Sequence, residues 1–559
     1  MVPGVRPTLT FSFILSCIVA PAAWGDGPAC EPVFTPAAPD IEFTGGDRWG
    51  KQSSDQRFGD GLRVGEIHIT RLNVFDDVEA SSHRLFALAN SLHSLTGQDV
   101  IAEHLLFEPG DEIDAHVIAE SERKLRSQRY LSDALIRPVS RCGDVVDYEV
   151  VTRDTWTVLP ELKLKTSGGA TEAGIGFQDS NFLGNGGRLA FDYEQRSERD
   201  RLMLRYDDNA VIDGRHRIRL NLASNSDGHE YGFEFGRPFF ALGSPRSWGL
   251  AWLDKEEVNH LYAFGESTAA STLSQRRADV WRGFSMQASG HRVSRWTFGV
   301  VADSLSYRQV EGERSVPLPT DVDLVYPYVE FSQIQDDFAT GYNINRVGQV
   351  EDLHLGHEIR ARLGFAPGSD AQLVFEGSAS DTLTSRRRHL LQASVDWRGR
   401  WDVEAGTAVD AGVSLTLDYH RGQTANRNLY LGLTASRVWN PSPASRTVLG
   451  GATGMRGYPV HYSTGDGGIY FTAEQRLFTN QRLFDLFNVG YVAFFDMGKT
   501  LSSEVVANPG LMMDAGFGLR LVPDKTDHDH VVHIDLGWPL REGLNAQGPQ
   551  VLVEVRKSL

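Results

Sequence analysis

Apolar and polar residues alternate along much of this 559-residue chain, most cleanly in five runs that reach its C-terminus. From Ile469, one face carries Ile469, Phe471, Ala473 and Leu477, interrupted by Gln475; the other carries Tyr470, Thr472, Glu474, Arg476 and Phe478. The next run sets Phe487, Val489, Tyr491, Ala493 and Phe495 against Asn488, Gly490 and Asp496, which share their face with Val492 and Phe494. A third sets Leu511, Met513, Ala515, Phe517, Leu519 and Leu521 against Asp514, Gly516, Gly518 and Arg520. The fourth opposes Val532, Ile534, Leu536 and Trp538 to His533 and Asp535; the fifth opposes Val551, Val553 and Val555 to Glu554 and Arg556. Strand side chains point to alternate faces, so each run predicts a strand with one apolar and one wet side. Repeated in this way, the pattern predicts a transmembrane antiparallel β-barrel with a polar interior. A soluble sandwich also alternates, but the large aromatics at outward positions and an export signal favour the barrel.

That signal lies at the N-terminus. Arg6 precedes an apolar stretch, Leu9 to Ala23, and Ala23-Trp24-Gly25 offers small residues for cleavage before Asp26. The pattern is that of a secretory signal peptide over 1–25, too short for a spanning helix. Cys30 follows Gly27-Pro28-Ala29, a poor match to a lipoprotein anchor. No later segment has the apolar length of a membrane helix, so a membrane role rests on strands; the mean hydropathy of -0.29 does not oppose this. Cys17 would leave with the signal peptide. Cys30 and Cys142 then either pair in an oxidising periplasm or remain free thiols.

Residues 26–60, rich in Pro, Gly, Asp and Ser, read as a linker. Residues 61–154 read as a small α/β unit. Leu62 to Val74 predicts a strand, and Ser81 or Ser82 a cap for a helix with Leu85, Leu88 and Leu92 on one face. Val100, Ile101, His104 and Leu105 make a second stripe. Glu108-Pro109-Gly110-Asp111 is a turn, Asp114 caps a helix through Lys124 and Leu125, and strands follow near Ala134–Val139 and Val145–Arg153. The barrel then occupies 155–559.

Gly450-Gly451-Ala452-Thr453-Gly454-Met455-Arg456-Gly457-Tyr458, placed five strand-like runs from the end, resembles the Arg-Gly-aromatic loop of the BamA/TamA family of outer-membrane assembly factors. Leu105-Leu106-Phe107-Glu108-Pro109-Gly110-Asp111 and Ser121-Glu122-Arg123-Lys124-Leu125 resemble a POTRA domain, the periplasmic module before such barrels. Phe177 to Gly186 resembles the segment joining the second and third strands of those surface-antigen-type barrels. The resemblance implies sixteen strands, although about twenty strand-like runs can be marked, those between Trp248 and Arg437 then including hairpins outside the wall. It departs from the family in a helix-like insertion at Asp76–Leu95, in a single POTRA-like unit, and in ending on Leu559 rather than an aromatic residue.

The resemblance folds the loop into the lumen, with Arg456 bonded to Glu474 and Asp496. Parity independently puts both acids on the inward face, where a guanidinium would make charge-assisted bonds. Gly457 permits close approach to the wall, and Tyr458 completes the motif. The alternative is a solvated arginine in a wet lumen. The family's activity is attributed to a seam between first and last strands. Here Pro160, which donates no ladder bond, marks a weak first strand, and Val551, Val553 and Val555 mark the closing one.

The chemistry expected of such a protein is assembly, insertion or translocation of unfolded outer-membrane or secreted polypeptides. Outer-membrane lipid and a periplasmic or inner-membrane partner at the POTRA-like unit are the other expected contacts, with no cofactor. The alternatives are a passive outer-membrane channel or structural barrel, or lipid translocation. The excess of 73 Asp+Glu over 55 Lys+Arg, a net charge of -18, argues against a nucleic-acid partner. Enzyme readings are poor. Gly283-Phe284-Ser285-Met286-Gln287 lacks the last Gly of a nucleophile elbow, and His528, His530 and His533 read as a solvated turn and strand start rather than a metal site.

Overall fold

The computed structural model describes residues 30–33, 49–51, 61–82, 84–167, 170–196, 198–287, 292–315, 317–342, 344, 350–368, 371–385, 388–424, 426–484, 486–501, 508–523, 525–526 and 531–556. The expected signal peptide, nearly all of the linker, His528, His530 and Leu559 lie outside them.

The unit between 61 and 154 is a sheet backed by helices. Strands Leu131–Cys142 and Val145–Asp154 pair antiparallel, and Arg63–Leu72 adds to the second in parallel. Helix Ala115–Arg126 begins where Asp114 accepts a hydrogen bond from the His116 amide (2.8 Å), as its sequence predicts. Leu125, Leu131, Val146 and Val150, all fully buried, form the core with Ile101 of the helix Gln98–Glu103. Cys30 and Cys142 form a disulfide, and Glu31–Pro32 pairs with the edge of Leu131–Cys142.

The helix expected after Ser81 or Ser82 is present as Arg84–Leu92. One local feature lies outside that expectation: a helical segment that contains both serines, Asp77–Ser82, precedes it. Asp76 and Glu79 cap this segment reciprocally: the Glu79 amide donates to Asp76 (2.7 Å) and the Asp76 amide to Glu79 (3.1 Å). In the next helix, Arg84–Leu92, Phe86 and Ala89 are buried while Leu88 and Leu92 are exposed. Phe86 stacks on Phe75 at 4.2 Å, and that contact turns the helix.

From Val158 the chain forms a closed antiparallel barrel of twenty strands, running from Val158–Ser167 to Gln550–Arg556. This corrects the expected sixteen. The runs between Trp248 and Arg437 are wall strands paired in register, several of them long: Arg246–Ala263, Glu266–Gln287 and Arg292–Gln309 form continuous ladders. The hairpin of Phe338–Tyr342 with Val350–His354 leaves the wall. Outward positions such as Val280, Phe284, Phe298, Val300, Val325 and Phe365 are exposed, whereas Val301 between them is fully buried. No helix among the described residues is long and apolar enough to cross a membrane. The exposed apolar wall is therefore made by strands, whose backbone groups are satisfied by their neighbours.

The turn 180–187, joining the second and third strands, anchors the barrel to the α/β unit. Gly97 donates to the Gly184 carbonyl (3.1 Å), and Asn181 donates to the Ser94 carbonyl and to Thr96 (2.9 Å). Thr96 in turn bonds buried Asp154, which also meets His93 at 2.8 Å. The Trp156 amide donates to the Lys525 carbonyl (2.6 Å), at the same end of the barrel.

Within the unit, His104 is buried against the Tyr130 hydroxyl (2.6 Å). Burial first, then repulsion by Lys124, lowers its pKa from 6.5 to about 3. The unfolded chain therefore takes up a proton that the folded unit refuses. Its contribution to stability is present above about pH 6.5 and lost as the pH falls toward 3. Asp133, raised to about 6 chiefly by burial, acts in the opposite direction between its unfolded value of 3.8 and about 6. The difference between parent and His104→Gln isolates the histidine. We predict a shallower loss of urea midpoint for the variant from pH 7 to 5, read by hydrogen exchange of Val145–Asp154; equal losses would contradict this.

Candidate functional site in the barrel lumen

The chain enters the barrel from the α/β unit, so the ends of successive strands alternate between that side and the far side. The connection from Arg427–Trp439 to Gly467–Leu483 lies at the far end and carries the Arg-Gly-Tyr segment. It folds on short pieces of structure: Thr447–Leu449 pairs with Ser463–Gly465, and Gly450 turns at φ 137°. A Cβ at Gly450 would lie 2.3 Å from the Pro459 carbonyl oxygen, so only glycine fits.

This fold buries Arg456 to 4% exposure against the inner wall. Nε and Nη2 donate to the two carboxylate oxygens of Asp496, both at 2.8 Å, and Nη1 donates to Glu474 at 2.7 Å. Nη2 also donates to the Thr472 hydroxyl (3.2 Å), and Asp535 stands 3.6 Å from Nη1. The guanidinium plane covers the Phe494 ring at 3.6 Å. Sequence parity named Glu474 and Asp496, and both meet Arg456.

The cluster extends along the wall. Arg476 donates to Glu474 (2.8 Å), and Arg520 donates to Asp535 (2.6 Å). Three arginines thus face Glu474, Asp496 and Asp535, which offsets the cost of burying so many charges. The polar face of each run already carried Arg476, Arg520 and Asp535. Their pairing was not legible, because it depends on register between strands.

Tyr458 fixes the loop on a second side: its hydroxyl donates to the Arg541 carbonyl (2.7 Å) and accepts from the Met513 amide (3.2 Å). Between the two anchors, Gly457 lies against the wall. A Cβ there would meet the Asp514 Cβ at 2.6 Å and the backbone of Trp538 and Pro539 at 3.0 Å. Gly537 provides the matching gap, since its own Cβ would sit 2.9 Å from the Gly457 nitrogen. Nothing in the local sequence of Gly537 announces this role.

A second element reaches the cluster from the opposite mouth. The hairpin containing Ile344 packs Ile344 and Leu353 on buried Leu390, and the Ile344 carbonyl accepts from Arg476 (3.4 Å). Its base is held by the α/β unit. Arg126 makes two hydrogen bonds to Asp352 (2.7 and 2.9 Å), and Arg123 bonds Asp336 and covers Phe338 at 4.2 Å. Arg476 and Glu474 therefore connect the far-side loop to a hairpin docked on the α/β unit.

The closing seam differs from the rest of the wall. Among the described residues, Gln550–Arg556 and Val158–Ser167 share one register pair, Val553↔Thr166. Other neighbouring wall strands share at least seven, as between Val322–Gln335 and Glu358–Ala366. Val551 and Val555 are exposed on the outer face, with Leu552 and Glu554 buried between them. Pro160 lies in the first wall strand, opposite Phe177 of the second. His533 is buried in Val531–Pro539, and Gly283–Gln287 lies in a wall strand.

No protein-family model and no curated protein sequence matches the chain. Among solved structures it is similar to CdiB from Acinetobacter baumannii, at 12% identity and a TM-score of 0.45, over 89% of this chain and 74% of that one. BamA from Haemophilus ducreyi lacking POTRA domains 1–3 aligns at 12% identity and 0.38, over 89% and 85%. The FrpB iron transporter from Neisseria meningitidis, in apoprotein form, aligns at 9% identity and 0.40, over 74% and 85%. The barrel itself rests on the strand register of this chain.

Arg456→Ala would remove the guanidinium that bonds both Asp496 oxygens and one of the two arginines that bond Glu474. Removal of one partner from such a buried set costs about 3–5 kcal/mol, enough to release the loop. We predict faster hydrogen exchange across 450–462 in Arg456→Ala, and also in Gly457→Ala through steric displacement. Unchanged protection in both would show that the loop is held by other contacts.

Proposed function

We propose that this chain is an outer-membrane barrel protein that assembles, inserts or translocates unfolded outer-membrane or secreted polypeptides, with the α/β unit acting as a POTRA-like domain in the periplasm. The observation that carries the reading is the seam. Among the described residues, a wall that is continuously paired elsewhere has a single register pair at its closure, next to strands that anchor the loop lock. Unpaired strand edges are templates for an arriving strand, so a seam that opens sideways would offer β-augmentation in the plane of the membrane. The exposed apolar wall and polar lumen support the membrane placement. Strands and helices of the α/β unit, in the order strand, helices, strand, strand, support its POTRA-like reading. In this reading Arg456, Glu474 and Asp496 hold the barrel in shape while the seam works. The chemistry is strand exchange, with neither a catalytic residue nor a cofactor in it.

A passive channel is the second reading, favoured by a lumen cavity of about 560 Å³ lined by Arg360, Glu376, Asp396, Arg398 and Arg446. Both readings are separable in liposomes. We predict that the protein accelerates insertion of an unfolded client barrel, that a disulfide between Thr166→Cys and Val553→Cys abolishes the acceleration, and that reduction restores it. Steady ion conductance with no acceleration over empty liposomes would support the channel instead.

A further inference from the structure

The junction between the α/β unit and the barrel rim holds a set of cations that the loop lock does not use. Phe240, in the turn between the wall strands Gly228–Arg237 and Arg246–Ala263, has three of them around its ring. Lys124 Nζ lies 5.2 Å from the ring centroid, the Arg215 guanidinium 5.2 Å and the Arg237 guanidinium 5.3 Å. Lys124 comes from helix Ala115–Arg126, Arg215 from a turn on the same side of the barrel, and Arg237 from the end of a wall strand.

Among the described residues, no salt bridge neutralises these cations. Lys124 Nζ and Arg237 Nε are buried and have no hydrogen-bond partner among the described residues. Glu120 is the nearby carboxylate, and it accepts instead from the Leu242 amide (2.6 Å). A ring face attracts a cation but leaves its N–H groups unbonded. Lys124 shows the strain: burial and the repulsion of Arg215, opposed by Glu120, lower its pKa to about 8. An unpartnered ammonium and an unbonded guanidinium N–H around the same ring, with Arg215 close enough to repel Lys124, leave donors that suit an oxyanion.

The surroundings identify the source of that anion. Arg237 is the register partner of Trp248, so both face outward. Trp248 packs edge-on to Phe235 at 5.6 Å and to His216 at 5.8 Å, directly beside the cations. Aromatic side chains beside cations at the end of an apolar wall mark the height at which lipid headgroups lie.

We propose that Lys124, Arg215 and Arg237 form a site for the phosphate group of an anionic membrane phospholipid, which bridges the α/β unit to the barrel rim. The inference rests on the membrane reading above but not on the polypeptide chemistry, so loss of client insertion leaves it standing.

The test uses the full chain in neutral detergent, with phosphatidylglycerol or phosphatidylcholine of the same acyl chains added and retained lipid read by native mass spectrometry. The parent is expected to retain phosphatidylglycerol preferentially. Lys124→Gln/Arg215→Gln/Arg237→Gln, with its barrel verified by heat-modifiable gel mobility, is expected to retain it about tenfold more weakly. Equal retention of the two lipids by the parent would overturn the proposal, whether or not the variant folds. So would undiminished retention by the folded variant. Binding of inorganic phosphate by the parent without preference for phosphatidylglycerol would overturn the lipid source.

Discussion

A guanidinium that cannot be discharged sits inside a barrel, and the arrangement of the lumen follows from neutralising it. Arginine remains protonated in proteins, so burial of Arg456 requires anions held in place. Asp496 supplies a two-oxygen acceptor and Glu474 a further one. These acids lie on adjacent wall strands, Gly467–Leu483 and Phe487–Thr500, and Asp535 follows two strands later on Val531–Pro539. The last of these pairs with the closing strand. A loop from the far mouth is thereby tied to the part of the wall that ends at the seam.

The lock has limited reach. Twenty strands enclose a wide lumen, and the loop occupies the side near the closing strands while a charged cavity remains elsewhere. From the other mouth, the hairpin around Ile344 fills space beside Leu390 and meets Arg476. Since Arg126 grips the base of that hairpin, displacement of the α/β unit would be felt at Glu474 through neighbouring contacts. Ion pairs bonded on both sides transmit displacement better than isolated ones, because moving one partner leaves the next uncompensated.

Much of this was legible in the sequence, and the failures have physical causes. Alternation depends on single strands, so parity located Glu474 and Asp496 and placed Arg520 and Asp535 on the wet face. Which cation meets which acid depends on register between strands distant in sequence, and only the fold supplies it. Alternation alone marked about twenty runs; the family expectation of sixteen displaced that reading, and each long run proved to be wall. The hairpin at Phe338–Tyr342 leaves the wall for partners distant in the chain, Trp49–Lys51 beside its strand and Arg123 and Arg126 at its base, which its own sequence does not announce. The extra helical segment ahead of Arg84–Leu92 reflects a reciprocal cap between Asp76 and Glu79. Nothing local to Gly537 could reveal the loop backbone lying against it.

The central claim is that the lightly paired seam is where polypeptide enters the wall. The most direct measurement places a photo-crosslinking amino acid at Val553, and separately at outward Phe298 on the remote wall, in liposomes receiving an unfolded client barrel. The claim predicts client crosslinks at Val553, diminished by Arg456→Ala, and few at Phe298. Equal crosslinking at the two positions, or none at Val553 while the client still inserts, would contradict it.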